Sequence, residues 1–182
     1  MKTIAPVLWT VALLLVSACH PDASLPQAKV QDPSFTLPAL DEELISLEDY
    51  RGQVVVIHFG ASWCPFCRAE DPHLEALYQT YKERGVQVLV INVGESNTAA
   101  ARWKQEAAFS FPMLLDRDGT VAARFAPPQA QPDLPRHEVM VASNLIVDQA
   151  GNVRFISLLD TRTFDAQLIE LQACLDKVLA ES

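Results

Sequence analysis

The sequence predicts an α/β fold with a central mixed β-sheet flanked by helices, and three observations support this. Two short apolar runs at 54–59 and 86–93 are rich in β-branched residues, as strands buried on both faces are. Each run is followed by a stretch with helical spacing. Further along, two apolar runs flank a four-residue turn, which predicts antiparallel pairing. Strands alternating with helices and then a hairpin indicate an α/β chain with a mixed sheet.

The first elements can be assigned in chain order. Residues 35–50 hold two short apolar runs around an acidic turn, which predicts an N-terminal β-hairpin. The first buried strand, 54–59, precedes a helix predicted over 65–84, in which Pro72 is expected to cause a kink. Its inward stripe consists of Leu74, Leu77, Tyr78 and Tyr81.

The next unit repeats the pattern. Gly85 ends the first helix, and the second buried strand follows at 86–93. Ser96 or Asn97 can cap a helix that continues to about Ala108.

The last third closes the fold. A short strand is predicted at 112–115, and a turn at 118–119 leads into a short helix. The segment 126–138 is a Pro-rich surface loop. Strands at 139–147 and 153–158 form the antiparallel hairpin. A closing amphipathic helix is predicted over 164–179, with Leu168, Leu171, Leu175 and Val178 inward and Cys174 as a buried thiol on the same stripe.

Composition limits the classes of function. The chain has 182 residues, 49% of them hydrophobic, which suits one domain with a buried core. Its formal charge is −9 and no basic run is present, so nucleic acid is a poor candidate partner.

The N-terminus has the pattern of an export signal. Lys2 precedes an uncharged apolar stretch at 4–16, which is shorter than the ~20 residues that a membrane span needs. Small residues then lead to Cys19, as in a bacterial lipobox. We expect a signal peptide at 1–18, cleavage before Cys19, lipidation of its thiol, and an extracytoplasmic membrane lipoprotein that faces the periplasm in a double-membrane bacterium. An ordinary signal peptide and an uncleaved anchor are the alternatives.

The remaining organisation follows from this expectation. Residues 19–34 are polar and Pro-rich after the cysteine, which predicts a lipid-anchored flexible tether. The folded domain then covers 35–182.

The chemistry is concentrated where the first buried strand meets its helix. Cys64 stands at the helix start, where unpaired backbone N–H groups and the helix dipole stabilise a thiolate. Pro65 suits the first turn. Cys67 follows one turn later, within disulfide reach. We therefore expect Cys64 to be an exposed attacking thiol and Cys67 the shielded resolving thiol.

Metal binding is the main rival interpretation of this cysteine pair. Structural zinc generally needs a second pair of ligands, and the sequence offers no matching pair. The strand before and the helix after favour a redox pair. We therefore predict no metal and no separate cofactor, since the disulfide between the two cysteines is itself the redox group.

The segment VVVIHFGASWCPFCRAEDPHLEALYQTY resembles the active-site block of the TlpA/ResA-type thioredoxin-like proteins. The segments VQVLVINVGES, FPMLLDRDGTVAARFA and LIVDQAGNVRFI resemble that family in the same order. The resemblance implies a thioredoxin-like fold with an N-terminal hairpin and an inserted strand and helix. It also implies membrane-tethered thiol–disulfide exchange, commonly as a reductase for exported cysteines such as those of apocytochrome c. The family's active-site residues match Trp63, Cys64 and Cys67.

Two further residues are candidates for support of the cysteines. His58 lies six residues before Cys64, where the resemblance leads us to expect an acid or asparagine. It could relay a proton, favour the thiolate when charged, or be a neutral core histidine. Glu70 is one helical turn after Cys67 and matches a glutamate that some relatives use in proton handling. The alternative for Glu70 is a solvated helix charge.

The loop that faces the cysteines departs from the family pattern. Where relatives have a cis-proline before the last hairpin, this chain has Ala142. A cis bond without proline costs about 3 kcal/mol, so we expect a trans or rearranged loop there. A different alignment makes Pro112 the cis residue.

Four functions remain open from the sequence. The first is a disulfide reductase that acts on exported protein thiols, with a membrane protein as electron donor. The second is a copper metallochaperone that uses the two cysteines, with His137 and Met140 as further candidate ligands. A peroxiredoxin is disfavoured, because Ile57 and Ala61 stand where those enzymes place proline and threonine or serine. The fourth is a non-catalytic binding domain.

Overall fold

The computed structural model describes residues 32–126, 143–158 and 164–181. The predicted N-terminal hairpin is confirmed: β1 (Thr36–Pro38) and β2 (Leu44–Ser46) pair antiparallel. A 3₁₀ turn over Leu47–Tyr50 follows, capped by Ser46, whose hydroxyl accepts the Glu48 N–H. These elements lead the chain to the central sheet.

The central sheet has five strands and is mixed, as predicted. In chain order the strands are β3 (Val54–Gly60), β4 (Val86–Val93), β5 (Met113–Asp116), β6 (Ser143–Val147) and β7 (Val153–Leu158). Their order across the sheet is β5-β4-β3-β6-β7. β3 and β5 both run parallel to β4, whereas β6 is antiparallel to β3 and β7. β3 therefore lies at the centre, where every one of its residues is buried.

Four helices complete the described fold: α1 (Pro65–Tyr81), α2 (Asn97–Ala107), α3 (Thr120–Phe125) and α4 (Ile169–Ala180). α1 continues through Pro72 and ends in a 3₁₀ turn. Gly85 closes that turn with φ +79°, a conformation that glycine adopts without steric cost. Ser96 caps α2 by accepting the Ala99 N–H, which agrees with the prediction.

The core lies on both faces of the sheet. On one face, alternate residues of β3 such as Val54 and Val56 pack with α1, α2 and α4. On the other face, Val55 and Ile57 pack with α3 and the N-terminal hairpin. The alternation places His58 on the first face, because strand side chains point to opposite sides in turn. Both cysteines of the pair belong to that same cluster.

The closing helix begins later than the sequence predicts. The expected start near residue 164 is wrong, because α4 begins at Ile169. Leu168 has a left-handed backbone (φ +58°), and the Asp165 carboxylate accepts the Glu170 N–H. These two features hold residues 164–168 in a turn. Leu168 nevertheless points into the core, as do Leu171, Leu175 and Val178, so the predicted inward stripe is correct.

The alternative that made Pro112 a cis residue is wrong. None of the peptide bonds in the described ranges is cis. Pro112 precedes β5, which is the edge strand farthest from β6. The last hairpin instead begins with β6 at Ser143, immediately after Ala142, and β6 pairs directly with β3. Ala142 itself and the Pro-rich loop lie outside the described residues.

Candidate active site

The site forms at the carboxyl end of β3, where the chain turns into α1. Ala61, Ser62 and Trp63 make the connection, and Cys64 is the N-cap of the helix. Pro65 occupies the first turn, where its missing N–H leaves no hydrogen bond unmade. The Cys64 N–H donates to the Ala61 carbonyl (3.1 Å), which fixes the entry to the helix.

The two thiols lie one helical turn apart. The sulfur of Cys64 accepts the backbone N–H of Cys67 at 3.3 Å, in the position that a capping oxygen usually occupies. Both cysteines are thiols rather than a disulfide in this structure. The sequence therefore brings the predicted pair together at a helix N-terminus, where partial positive charge meets the Cys64 sulfur.

The accessibility of Cys64 differs from the expectation. The prediction that Cys64 is exposed is wrong, because only 5% of the residue is exposed. Cys67 is fully buried, as expected of a shielded thiol. Cys64 is covered because its sulfur folds back over the helix N-terminus to accept the Cys67 N–H. The indole of Trp63, by contrast, is 67% exposed beside it. Of the two thiols, Cys64 is still the one that reaches the surface.

The pKa values of the two thiols are shifted in opposite directions. A hydrogen bond from the Cys67 thiol, reinforced by backbone N–H groups, lowers the pKa of Cys64 from 9.0 to about 6. The same hydrogen bond, together with burial, raises the pKa of Cys67 well above its ordinary value. At neutral pH the pair is thus one thiolate and one thiol, which is the state that a nucleophile and its resolving partner need.

Glu70 is buried on the inner side of α1. Its side chain is not the solvated charge that the alternative described, because only 6% of the residue is exposed. Burial raises the pKa of Glu70 to about 8, against the opposing effect of a hydrogen bond from Asn144. The Nδ2 group of Asn144 donates to Glu70 Oε1 at 3.1 Å. Glu70 is therefore mostly a neutral carboxyl at pH 7.

His58 is fully buried on β3 and joins the same cluster. Its Nδ1 lies 2.9 Å from Asn144 Oδ1 and 3.3 Å from Glu70 Oε2. Burial lowers the pKa of His58 to about 4, although the Asn144 contact opposes this. The Glu70 contact is therefore between two neutral groups near pH 7, and the interpretation in which a charged His58 favours the thiolate is not supported.

A second carboxylate lies beneath the pair. Both oxygens of Asp71 accept the indole N–H of Trp103, at 3.1 and 3.0 Å, and Arg68 lies 3.3 Å from Asp71. Burial raises the pKa of Asp71 to about 6, with the Trp103 hydrogen bond and Arg68 acting in the opposite direction. Trp103 is fully buried in the core.

Glu95 holds the connection between β3 and α1 from the side. One oxygen accepts the Ser62 N–H (2.7 Å) and the other the Ser62 hydroxyl (2.5 Å). Asn92 Nδ2 donates to the same carboxylate at 2.5 Å. The sequence reasoning missed this group and also Asn144. The signal for Glu95 was its place just after β4, since the carboxyl ends of neighbouring parallel strands meet at one edge.

Several other predicted residues lie away from this cluster or beyond it. Cys174 is buried on α4, as predicted. Cys19, His137, Met140 and Ala142 fall outside the described residues. Among the residues that the structure describes, no three histidine, cysteine or acidic side chains are grouped so that they could hold a metal ion. Within the same ranges, no helix is long and apolar enough to cross a bilayer.

The profile of the AhpC/TSA family matches residues 28–156 of the sequence. The chain belongs to this family. The match includes the strand–helix junction with the cysteine pair and the whole parallel part of the sheet. Membership agrees with the thioredoxin-like, TlpA/ResA-like resemblance of the active-site block.

Curated relatives of this AhpC/TSA chain carry the name thiol-disulfide oxidoreductase ResA. The protein of Halalkalibacterium halodurans is 36% identical over 96 residues, which is 53% of this chain and 54% of that protein. The Bacillus subtilis protein is 34% identical over 89 residues, or 49% of this chain and 50% of that protein. The chain thus spans about half the length of the curated relatives it matches.

Solved structures show that the fold is thioredoxin-like. A thiol:disulfide interchange protein from Bacteroides sp. superposes with a TM-score of 0.64 at 18% identity, covering 82% of this chain and 88% of that one. A secreted disulfide oxidoreductase of Mycobacterium tuberculosis, homologous to DsbE, gives a TM-score of 0.61 at 20% identity, over 82% and 97%. These likenesses confirm the predicted fold class.

Proposed function

We propose that this protein is an extracytoplasmic thiol–disulfide oxidoreductase that exchanges the Cys64–Cys67 dithiol with cysteines of exported proteins. The observation that carries the proposal is the Cys67 N–H and thiol directed at the Cys64 sulfur, which lowers the pKa of Cys64 to about 6. The names of the ResA relatives support the same chemistry.

In the proposed reaction, the Cys64 thiolate attacks a disulfide of the target protein. One target sulfur leaves as a thiolate and takes a proton from water, while the other stays bonded to Cys64. Cys67 then attacks the Cys64 sulfur, which releases the second target thiol and leaves a Cys64–Cys67 disulfide. The target gains two electrons from the enzyme and two protons, one from the Cys67 thiol and one from water. A membrane protein that donates electrons would restore the dithiol.

Trp63 and Pro65 flank Cys64 on the outer surface and are proposed to contact the target. Trp63 is 67% exposed, so its indole is available to pack on a partner chain beside the reacting sulfur. Pro65 is exposed as well. Phe66 packs edge-on against Phe164, with the ring centres 5.0 Å apart, so the turn before α4 adjoins this surface. Ala142 is proposed as a further contact, because it immediately precedes β6.

A redox titration with alkylation of the free thiols tests the proposal. We expect reversible two-electron oxidation of Cys64 and Cys67 that copper does not change. A potential near or below that of thioredoxin, about −270 mV, would support the reductase direction. Stoichiometric copper binding that blocks alkylation would instead favour the metallochaperone. A protein whose pair cannot be oxidised reversibly would contradict exchange altogether.

The membrane anchor is a separate part of the proposal. We expect residues 1–18 to be removed and Cys19 to carry a diacylglycerol, with residues 20–34 as the tether. The M. tuberculosis disulfide oxidoreductase with the same fold is a secreted protein, which agrees with an extracytoplasmic location. Mass spectrometry of the membrane fraction tests this, with Cys19→Ser as the control. An unmodified N-terminus in the wild-type protein would contradict the anchor and leave the thiol chemistry untouched.

A further inference from the structure

A buried carboxylate that the proposed exchange does not use lies two helical turns after Cys64. Asp71 is on α1, and only 5% of the residue is exposed. Both of its oxygens accept the indole N–H of Trp103 on α2, and Arg68 Nη1 lies 3.3 Å from Asp71 Oδ2. The Arg68 guanidinium also contacts Glu106 of α2 at 3.0 Å. Asp71 is therefore part of the contact between the two helices.

The helix places this carboxylate on the face that carries the cysteine pair. Positions 67, 68 and 71 follow position 64 by three, four and seven residues, so the four residues form one stripe of α1. Seven residues correspond to a rise of about 10 Å, and helical side chains lean toward the N-terminus. The Asp71 carboxylate is thus closer to Cys64 than its backbone is. Arg68 lies between them on the stripe, and its N–H donates to the Cys64 carbonyl at 3.1 Å.

Buried side chains shield the region between the two groups from solvent. Trp103 is fully buried, and its Nε1 contacts Asp71. The Cη2 atom of the same indole lies 3.1 Å from the position of a Cβ built on Gly60, and that position is 2.8 Å from Cys67 Sγ. The indole therefore reaches from the carboxylate to the cysteine pair. Two charges on either side of it interact with a lower effective dielectric constant than in water.

We infer that the ionised Asp71 carboxylate opposes the thiolate on Cys64 and so makes the dithiol a stronger reductant. This inference rests on the proposed function and names a residue that favours the reductase direction. Asp71 acts on Cys64 through the field of its charge. The disulfide form has no charge on Cys64, so the repulsion acts only in the reduced form. A destabilised reduced form gives its electrons to a target disulfide more readily, whereas a stabilised one makes a strong oxidant.

The surroundings of Asp71 leave its carboxylate mostly ionised at pH 7 and above. Burial raises the pKa of Asp71 to about 6, and the Trp103 N–H and the Arg68 guanidinium limit the increase. Hydrogen bonds from Cys67 dominate the lowered pKa of Cys64, and the Asp71 charge opposes them. The charged and titratable groups that face Asp71 are Cys64, Arg68 and Glu70 from α1 and, through Arg68, Glu106 from α2.

Equilibration of the full chain with dithiothreitol and its cyclic disulfide, in mild detergent, measures this effect. After quenching with iodoacetamide, mass spectrometry of the tryptic peptide 52–68, which holds both cysteines of the pair, gives the reduced fraction. In Asp71→Asn the amide oxygen can still accept the Trp103 N–H, but the negative charge is gone. We expect the equilibrium constant for oxidation of the dithiol at pH 8 to fall about fivefold, which corresponds to about 20 mV.

The dependence on pH and the sign of a second substitution separate this effect from a structural one. At pH 5 most of Asp71 carries a proton, so the equilibrium constants of Asp71→Asn and the wild-type protein should agree within about twofold. The dithiothreitol couple titrates identically in every sample and cancels from the comparison. Arg68→Gln removes a positive charge from the same stripe. It should therefore raise the equilibrium constant at pH 8, by about threefold.

Asp176→Asn is the matched control, because it removes a surface carboxylate that pairs with Arg84, just beyond the C-terminal end of α1. Its equilibrium constant should equal that of the wild-type protein at both pH values. The role of Asp71 would be overturned by an unchanged constant in Asp71→Asn at pH 8, by an equal shift at pH 5, or by shifts of the same sign in Asp71→Asn and Arg68→Gln. A wild-type pair that is not reversibly oxidised would instead contradict the proposed function.

Discussion

At the scale of single residues, the site separates two chemically identical thiols. Cys64 caps α1 and accepts hydrogen bonds from Cys67, whereas Cys67 is fully buried next to Glu70 and His58. The helix N-terminus favours negative charge on the first sulfur and burial disfavours it on the second. The order of the two cysteines along the helix therefore assigns the roles of attacking and resolving thiol.

Gly60 provides a direct test of this packing. In Gly60→Ala the new methyl would meet both His58 Nε2 and Cys67 Sγ, so one of them must move. We expect a loss of stability of about 1–3 kcal/mol, as for other overpacked cores, measured by urea unfolding. The rate of the Cys67 step should also fall.

Gly52→Ala is the matched control for this substitution. Gly52 has φ +87° with nothing within 4 Å of a Cβ, so only backbone strain is added there. We expect Gly52→Ala to lower the free energy of unfolding by about 1–2 kcal/mol and to leave the thiol chemistry unchanged. Unaltered Cys67 kinetics in Gly60→Ala would show that the close approach does not restrict the resolving thiol.

At the scale of elements, the loop before α1 is held by the loop after β4. Glu95 accepts two hydrogen bonds from Ser62 and one from Asn92. Because Ser62 is two residues before Cys64, this contact restrains the segment that presents the attacking sulfur. The contact joins two different β–α connections at one edge of the sheet, so neither element could supply it alone.

A double-mutant cycle measures this contact. Ser62→Ala removes the hydroxyl donor, and Glu95→Ala removes the carboxylate acceptor of this hydrogen bond. Since hydrogen bonds to charged groups contribute about 1.5–3 kcal/mol, the coupling energy in urea unfolding should approach the lower end of this range. Arg102→Gln, which removes an exposed contact with Glu106, is the control and should change stability by less than about 0.5 kcal/mol. A coupling energy near zero would mean that Glu95 does not restrain the loop.

The helices and strands differ in how well the sequence predicts them. Buried β-branched runs and capping residues predicted β3, β4 and α2 closely, because these signals are local. The start of α4 was missed, because Leu168 adopts a left-handed backbone that no propensity indicates. The Cys64–Cys67 pair could be predicted from spacing. The His58–Asn144–Glu70 cluster could not, because it requires β6 to pair with β3 in a register that places Asn144 opposite His58.

At the scale of the whole molecule, buried ionisable groups make stability depend on pH. The folded-state pKa of Glu70 is raised from 4.5 to about 8, so between these values the folded state holds a proton that the unfolded state has lost. The contribution of Glu70 to the free energy of unfolding therefore falls as pH rises from about 4.5 to 8. Cys64 acts oppositely in the reduced protein, because its pKa is lowered from 9.0 to about 6 and stability rises between those values.

Glu70→Gln isolates the first of these contributions. The amide oxygen can still accept from Asn144, but no proton is lost at high pH. We expect the unfolding free energy of the variant, relative to the reduced wild-type protein, to increase steadily between pH 5 and 8. Urea unfolding at three pH values measures this. A difference that stays constant with pH would show that Glu70 does not titrate with a raised pKa.

The proposed thiol–disulfide exchange depends on a single ionised thiol in the reduced site. The most direct measurement is the rate of iodoacetamide alkylation of the reduced protein between pH 4 and 10, with the modified cysteine identified by peptide mass spectrometry. We predict that Cys64 reacts first, with a midpoint near pH 6, and that Cys67 stays unmodified until much higher pH. Equal reaction of both thiols with a midpoint near 9 would contradict the proposed division between attacking and resolving cysteine.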